Sequence, residues 1–170
     1  YGAGDHRDTH RWLVHGLLLG AALSVPVMLV CGLIWVAIPH LGFHPEVLPL
    51  LRGYFSVILW STLPLLLYAA VRRSLQGIHA VAPVAFALVT ANLINAGANR
   101  LFIYGGFGLP ALGVPGAAWA TVLSRVYLLL VLWLAARYYD RVRESGLADV
   151  SRRISRERLQ RLWRLGFPAA

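Results

Sequence analysis

Lysine is absent from this 170-residue chain: all 16 basic side chains are arginine, set against seven acids for a net charge of +9. Carboxylates are absent from residues 47 to 139, because Asp5, Asp8 and Glu46 come early and Asp140, Glu144, Asp149 and Glu157 late. That gap excludes an acid–base dyad through most of the length. No Ser/His/Asp set falls within one membrane depth either, since His79 stands in a turn and His40 and His44 in a loop, so an intramembrane enzyme is excluded. Cys31 is the one cysteine, so no intrachain disulfide can form, and no Cys/His spacing offers a structural zinc site. Charged residues make up only 14% of the chain against 58% hydrophobic ones, with a mean hydropathy of +0.63, far to the apolar side of a soluble domain. The composition is that of a membrane protein. The chain opens on Tyr1 and stops at Ala170 just after Gly166-Phe167-Pro168, which reads as a piece of a longer sequence.

What is present is a set of apolar runs. About 20 residues of α-helix cross the roughly 30 Å hydrocarbon core, and four runs approach that length. Gly16 to Ile38 and Gly53 to Val71 carry no charge, Ser74 to Asn99 carries none and becomes apolar near Ala80, and Ala117 to Ala136 contains only Arg125. In lipid the backbone must satisfy its own hydrogen bonds, and no strand-like alternation is seen, so these runs are helices. The fold class expected is all-α, a multi-pass transmembrane helical bundle. Loops are punctuated by Pro39, Gly42, Pro45 and Pro49, by Gly77 and Pro83, and by Gly105 to Gly116. The last of these lacks the Gly-Lys-Ser/Thr of a phosphate cradle and holds no basic residue.

Arginine placement sets the orientation, because basic residues concentrate in short cytoplasmic loops. Arg7 and Arg11 precede the first run, Arg72 and Arg73 follow the second, and nine arginines from Arg137 to Arg164 follow the fourth. Only Arg52 and Arg100 lie on the other side. The start, the turn at 72–79 and the tail are therefore expected in the cytoplasm. From Leu147 to Leu165 apolar residues recur near helical spacing among arginines, with Ser155 as a candidate N-cap, an amphipathic pattern suited to an anionic membrane surface. Next to spanning helices such a cluster is a topology signal, and nucleic acid is not an expected partner.

Polar side chains inside the runs are the candidates for chemistry. Asn92, Asn95 and Asn99 are three and four residues apart and share one helix face; the spacing fits interhelical hydrogen bonding and a solute-lined cavity equally. Arg125 lies about nine residues, or roughly 13 Å, into the fourth run, where an unpaired guanidinium is costly. It must snorkel, bond carbonyls, water or a group on a helix outside this chain, or stand beside a solute path. Thr121 lies one turn earlier, where its hydroxyl can also bond its own backbone.

Five segments, taken in order, resemble the multidrug and toxic compound extrusion (MATE) antiporters. Tyr1-Gly2-Ala3-Gly4-Asp5 resembles the turn between that family's second and third helices, and Arg72-Arg73-Ser74-Leu75-Gln76-Gly77 the turn after its fourth. Asn95-Ala96-Gly97-Ala98-Asn99 with Phe102-Ile103-Tyr104-Gly105 resembles the fifth helix. Leu109-Pro110-Ala111-Leu112-Gly113-Val114-Pro115-Gly116-Ala117-Ala118-Trp119-Ala120-Thr121 is similar to the start of the sixth, and Arg164-Leu165-Gly166-Phe167-Pro168 to the opening of the seventh.

The resemblance implies helices three to six of a twelve-helix transporter within residues 1–146, with a cytoplasmic connector and the start of helix seven in 147–170. It implies export of organic, mostly cationic compounds by alternating access between two six-helix halves, driven by protons or sodium, with no cofactor beyond that ion. Partners would be small organic substrates, membrane lipids and the remaining helices of the same transporter, in the cell (inner) membrane. Carried over by position, Asn95, Asn99 and Thr121 match polar positions lining the cation site, and Tyr68 is a further candidate. Some members have Asp where Asn99 stands, and the coupling Asp belongs to helix one. A lipid-linked oligosaccharide flippase, with a more basic cavity, and a non-transporting membrane scaffold are the alternatives.

Overall fold

The computed structural model describes residues 6–142 and Gln160; the amphipathic segment at 147–165, the Ser155 cap, the connector at 147–170 and the Tyr1–Asp5 motif lie outside these residues, apart from Gln160. The order is α1 (His6–Ala37), a 3-10 turn (Ile38–His40), α2 (Leu48–Trp60), α3 (Thr62–Gly77), α4 (Val81–Tyr104) and α5 (Val114–Val142). Three helices are long and apolar enough to cross a membrane on their own, at Trp12–His40, Val81–Tyr104 and Val114–Arg141, and α2 with α3 makes a fourth crossing if the pair is one span. The multi-pass all-α class expected from the apolar runs is what the chain adopts.

The second span departs from the sequence expectation. A single helix over Gly53–Val71 is predicted; the structure has two, α2 and α3, meeting at 42° around Ser61. Pro64 is the cause, because it has no N–H for the Trp60 carbonyl and its ring crowds that carbonyl. Ser61 turns the corner by donating both its amide, at 3.0 Å, and its hydroxyl, at 2.7 Å, to the carbonyl of Ile58. Hydrogen bonding resumes from Leu65 N–H to the Ser61 carbonyl at 3.1 Å.

Helix α5 packs on α4, α2 and α3, while α1 packs mainly on α3. The α1–α3 seam follows from Gly16 and Gly20, one turn apart: the position of a Cβ on Gly20 lies 3.2 Å from the Leu66 carbonyl oxygen, and one on Gly16 lies 3.8 Å from the Ala70 Cβ. This small-xxx-small spacing lets backbones approach where lipid offers no hydrophobic drive to association. The buried core joins Leu13 of α1, Tyr68, Val71 and Leu75 of α3, Ala80, Val84 and Ala87 around the start of α4, and Leu132 and Ala136 of α5, so it gathers at the end of the bundle that holds the 72–79 turn.

The opposite end is tied through backbone. The loop after α4 makes a tight turn at Gly106–Leu109 and folds back so that Leu112 N–H donates to the Phe102 carbonyl at 2.9 Å and Gly113 N–H to that of Ile103 at 3.2 Å. Those carbonyls belong to the last turn of α4, which has no intrahelical donors of its own. Helix α5 then starts against α4 so closely that any Cβ on Gly116 would overlap the Phe102 carbonyl. Away from these contacts Leu29, Leu33, Leu93 and Leu134 are exposed, as side chains in a hydrocarbon solvent are.

Candidate functional site

Helix α4 carries the asparagines, but they do not act as one stripe. Asn92 is exposed and donates to the Leu88 carbonyl of its own helix at 3.0 Å. Asn95 and Asn99 are half-buried and pair with each other, Asn99 Nδ2 donating to Asn95 Oδ1 at 2.9 Å. Among the described residues the pair therefore bonds within α4 and not across to another helix. The hydrogen bond that does cross between α4 and α5 comes from residues the sequence reading passed over: Tyr127 OH donates to Thr90 Oγ1 at 2.8 Å. Thr90 in turn donates to the Phe86 and Ala87 carbonyls at 2.8 and 3.2 Å.

Thr121, on the first half of α5, is half-buried and donates to the Ala117 carbonyl one turn back at 3.0 Å, the self-satisfied arrangement open to any helical threonine. Tyr68 is nearly fully buried on α3, at 6% exposure, and its hydroxyl accepts from Arg72 Nη1 at 3.2 Å. The Arg72 Nε is buried without a partner. Tyr68 thus lies in the core near the 72–79 turn and is engaged by an arginine of that turn.

Arg125 points into the protein. Its Nη1 donates to Ser61 Oγ across the α3–α5 side of the bundle, and Ser61 is fully buried. Carbonyls, water or a group on a helix outside this chain are the partners expected from the sequence; the one found is instead a hydroxyl in the second span of this same chain. No regular spacing connects residues 64 positions apart, and what could have drawn attention to Ser61 is Pro64, whose ring breaks the helix there.

A second arginine, Arg52 on α2, lies over the Trp35 ring of α1 at 4.4 Å from its centroid, and Trp35 Nε1 donates to the Arg52 carbonyl at 3.1 Å. It ties the two helices rather than offering a free charge to a cavity. Among the described residues no group of three or more His, Cys, Asp or Glu could hold a metal ion. The site residues therefore form two groups, the Asn95–Asn99 pair on α4 and the Arg125–Ser61 bond at the broken span, with Tyr68 and Thr121 each satisfied separately.

The sequence profile of the MatE family matches residues 1–101, well over half the chain. The chain belongs to the MatE family. It is 27% identical over 169 residues to the multidrug resistance protein NorM of Aliivibrio fischeri, covering 99% of this chain and 37% of that protein. It is 26% identical over 156 residues to the NorM of Photobacterium profundum, covering 92% of this chain and 34% of that protein. With a probable multidrug resistance protein NorM of Bradyrhizobium diazoefficiens the identity is 34% over 145 residues, or 80% of this chain and 29% of the relative. The chain spans about a third of the length of the curated relatives it matches. As a MatE-family chain with helices of this length and apolarity it is an integral membrane protein, and its relatives are transporters rather than enzymes.

Proposed function

We propose that this MatE chain supplies helices three to six, in the N-terminal half, of a twelve-helix exporter of organic, mostly cationic compounds, coupled to protons or sodium. The observation that carries the reading is the Asn95–Asn99 pair. Among the described residues the two amides, one turn apart and half-buried, bond to each other and not to a neighbouring helix, so one oxygen and one nitrogen keep their capacity for a solute. Amide oxygens are hard ligands of the kind that hold small cations. Thr121 and Tyr68 enter the proposed path through the family resemblance alone, since Thr121 bonds its own helix and Tyr68 is held by Arg72 in the core. A purely structural polar stripe works by bonding across helices, the part played here by Tyr127 and Thr90.

A lipid-linked oligosaccharide flippase would use basic residues to line its cavity. Arg125 is instead held by Ser61 and Arg52 by Trp35, which favours the drug exporter. Orientation in the inner membrane, with the 72–79 turn in the cytoplasm, follows from the arginines of that turn and from the lack of any in the Gly105–Gly116 loop. The deciding experiment reconstitutes the full-length protein in liposomes and follows efflux of a cationic dye under an imposed proton or sodium gradient. Dye movement that depends on one of the two gradients is the expected result; dye movement indifferent to both would refute ion coupling.

A further inference from the structure

Four facts meet at Ser61. Pro64 breaks the second span there, leaving α2 and α3 at 42°. The Ser61 hydroxyl, fully buried, donates to the Ile58 carbonyl at 2.7 Å while accepting from Arg125 Nη1. Ile58 lies in the last turn of α2, whose carbonyls are the negative end of the helix dipole and lack intrahelical donors. Finally, no carboxylate exists between residues 47 and 139 to compete for the guanidinium.

We propose that Arg125 and Ser61 form a latch that holds the bend of the second span, which makes Arg125 a positioning residue and not a ligand of the cargo. Pro64 opens the joint, through its missing N–H and the crowding of its ring against the Trp60 carbonyl, but a repulsion only keeps the helix from straightening and supplies no attraction that holds one angle. The chain Arg125 to Ser61 to Ile58 supplies that contact, joining the middle of α5 to the end of α2 at the point where α3 departs. A hydroxyl that accepts from a cation while donating to a carbonyl is strengthened in both bonds. Release is costly, since the guanidinium would then lie in the span without a partner, so the bend stays closed unless another group takes the charge. Helix α3 carries Tyr68 and Arg72 beyond the joint, so opening the latch would move them relative to α5. The latch rests on the exporter reading only for its consequence in transport; the bend itself is measured without transport.

The test uses the full-length protein in lipid nanodiscs, cysteine-free through Cys31→Ala and equivalent changes elsewhere, with spin labels at Val47→Cys and Gly77→Cys. Both positions are exposed, and they sit at the far ends of α2 and α3. With arms of about 14 and 16 residues at 1.5 Å rise, straightening the bend lengthens their separation by about 3 Å. Ser61→Ala and Arg125→Leu are each expected to shift the distance distribution towards that longer value and to broaden it, and Arg125→Lys, which keeps a cationic donor, to bring it back towards the native one. Distributions for Ser61→Ala and Arg125→Leu that superimpose on the native one would overturn the latch and leave the bend to Pro64 alone. Should Arg125→Leu fail to insert, Ser61→Ala, which removes a single oxygen, decides in the same way. A native protein that moved no dye would count against the exporter reading and leave the distance result standing.

Discussion

Asn99 donates its side-chain amide to Asn95 one turn back on α4 at 2.9 Å, so the two residues form one polar unit. Because they share a single bond, their substitutions should not add. Asn95→Ala and Asn99→Ala are each expected to lower stability by about 0.2–0.5 kcal/mol, the range for side-chain pairs four apart on one helix, and the double variant by no more than either alone. Thermal unfolding in detergent measures this; full additivity would mean that the two amides act on separate partners.

The bridge between α4 and α5 is a second stability determinant. Tyr127→Phe removes the donor to Thr90 while Thr90 keeps its two carbonyl partners, so a loss of about 0.6 kcal/mol and at most about 1.7 kcal/mol is expected. Unchanged unfolding of the Phe variant would show that the bond contributes nothing net.

Gly116 should tolerate no side chain. A methyl there would overlap the Phe102 carbonyl, whereas one at Gly32 meets nothing within 4 Å. Gly116→Ala is expected to cost about 1–3 kcal/mol through displaced backbone, and Gly32→Ala to be neutral or to gain up to about 1 kcal/mol from helix propensity. Equal melting temperatures for the two variants would contradict the close approach of α4 and α5.

The topology gives a sidedness prediction. Phe107, fully exposed in the loop after α4, and Gly77, exposed at the end of α3, lie at opposite ends of α4. In a Cys31→Ala background, Phe107→Cys should react with an impermeant thiol reagent from outside the cell and Gly77→Cys only after permeabilisation. Labelling of both from one side would remove a span from the count.

The spans were legible because charge-free length is what a bilayer demands, and the shared face of Asn95 and Asn99 was legible because residues four apart on a helix are neighbours, whereas their bond to each other within α4 was not. The rest depended on packing. Asn92 shares that spacing yet bonds its own backbone and faces outward, since which part of a polar stripe is covered is decided by the neighbouring helix. The partner of Arg125 is set by how α5 slides along α2 and α3, which no periodicity encodes. The broken second span stood between the two cases: Pro64 marks a possible break, but in membrane helices proline is also tolerated within a continuous span, as Pro26 is within α1.

The most direct test of the proposed cation path is gradient-driven efflux by the full-length protein carrying both Asn95→Ala and Asn99→Ala, compared with the native protein at equal amounts inserted in liposomes. The expected result is loss of ion-driven dye export with folding and insertion retained, because the amide oxygens that would meet the cation are gone while α4 stays apolar and helical. Native rates of gradient-dependent export from the double variant would contradict the assignment of this pair to the cation path.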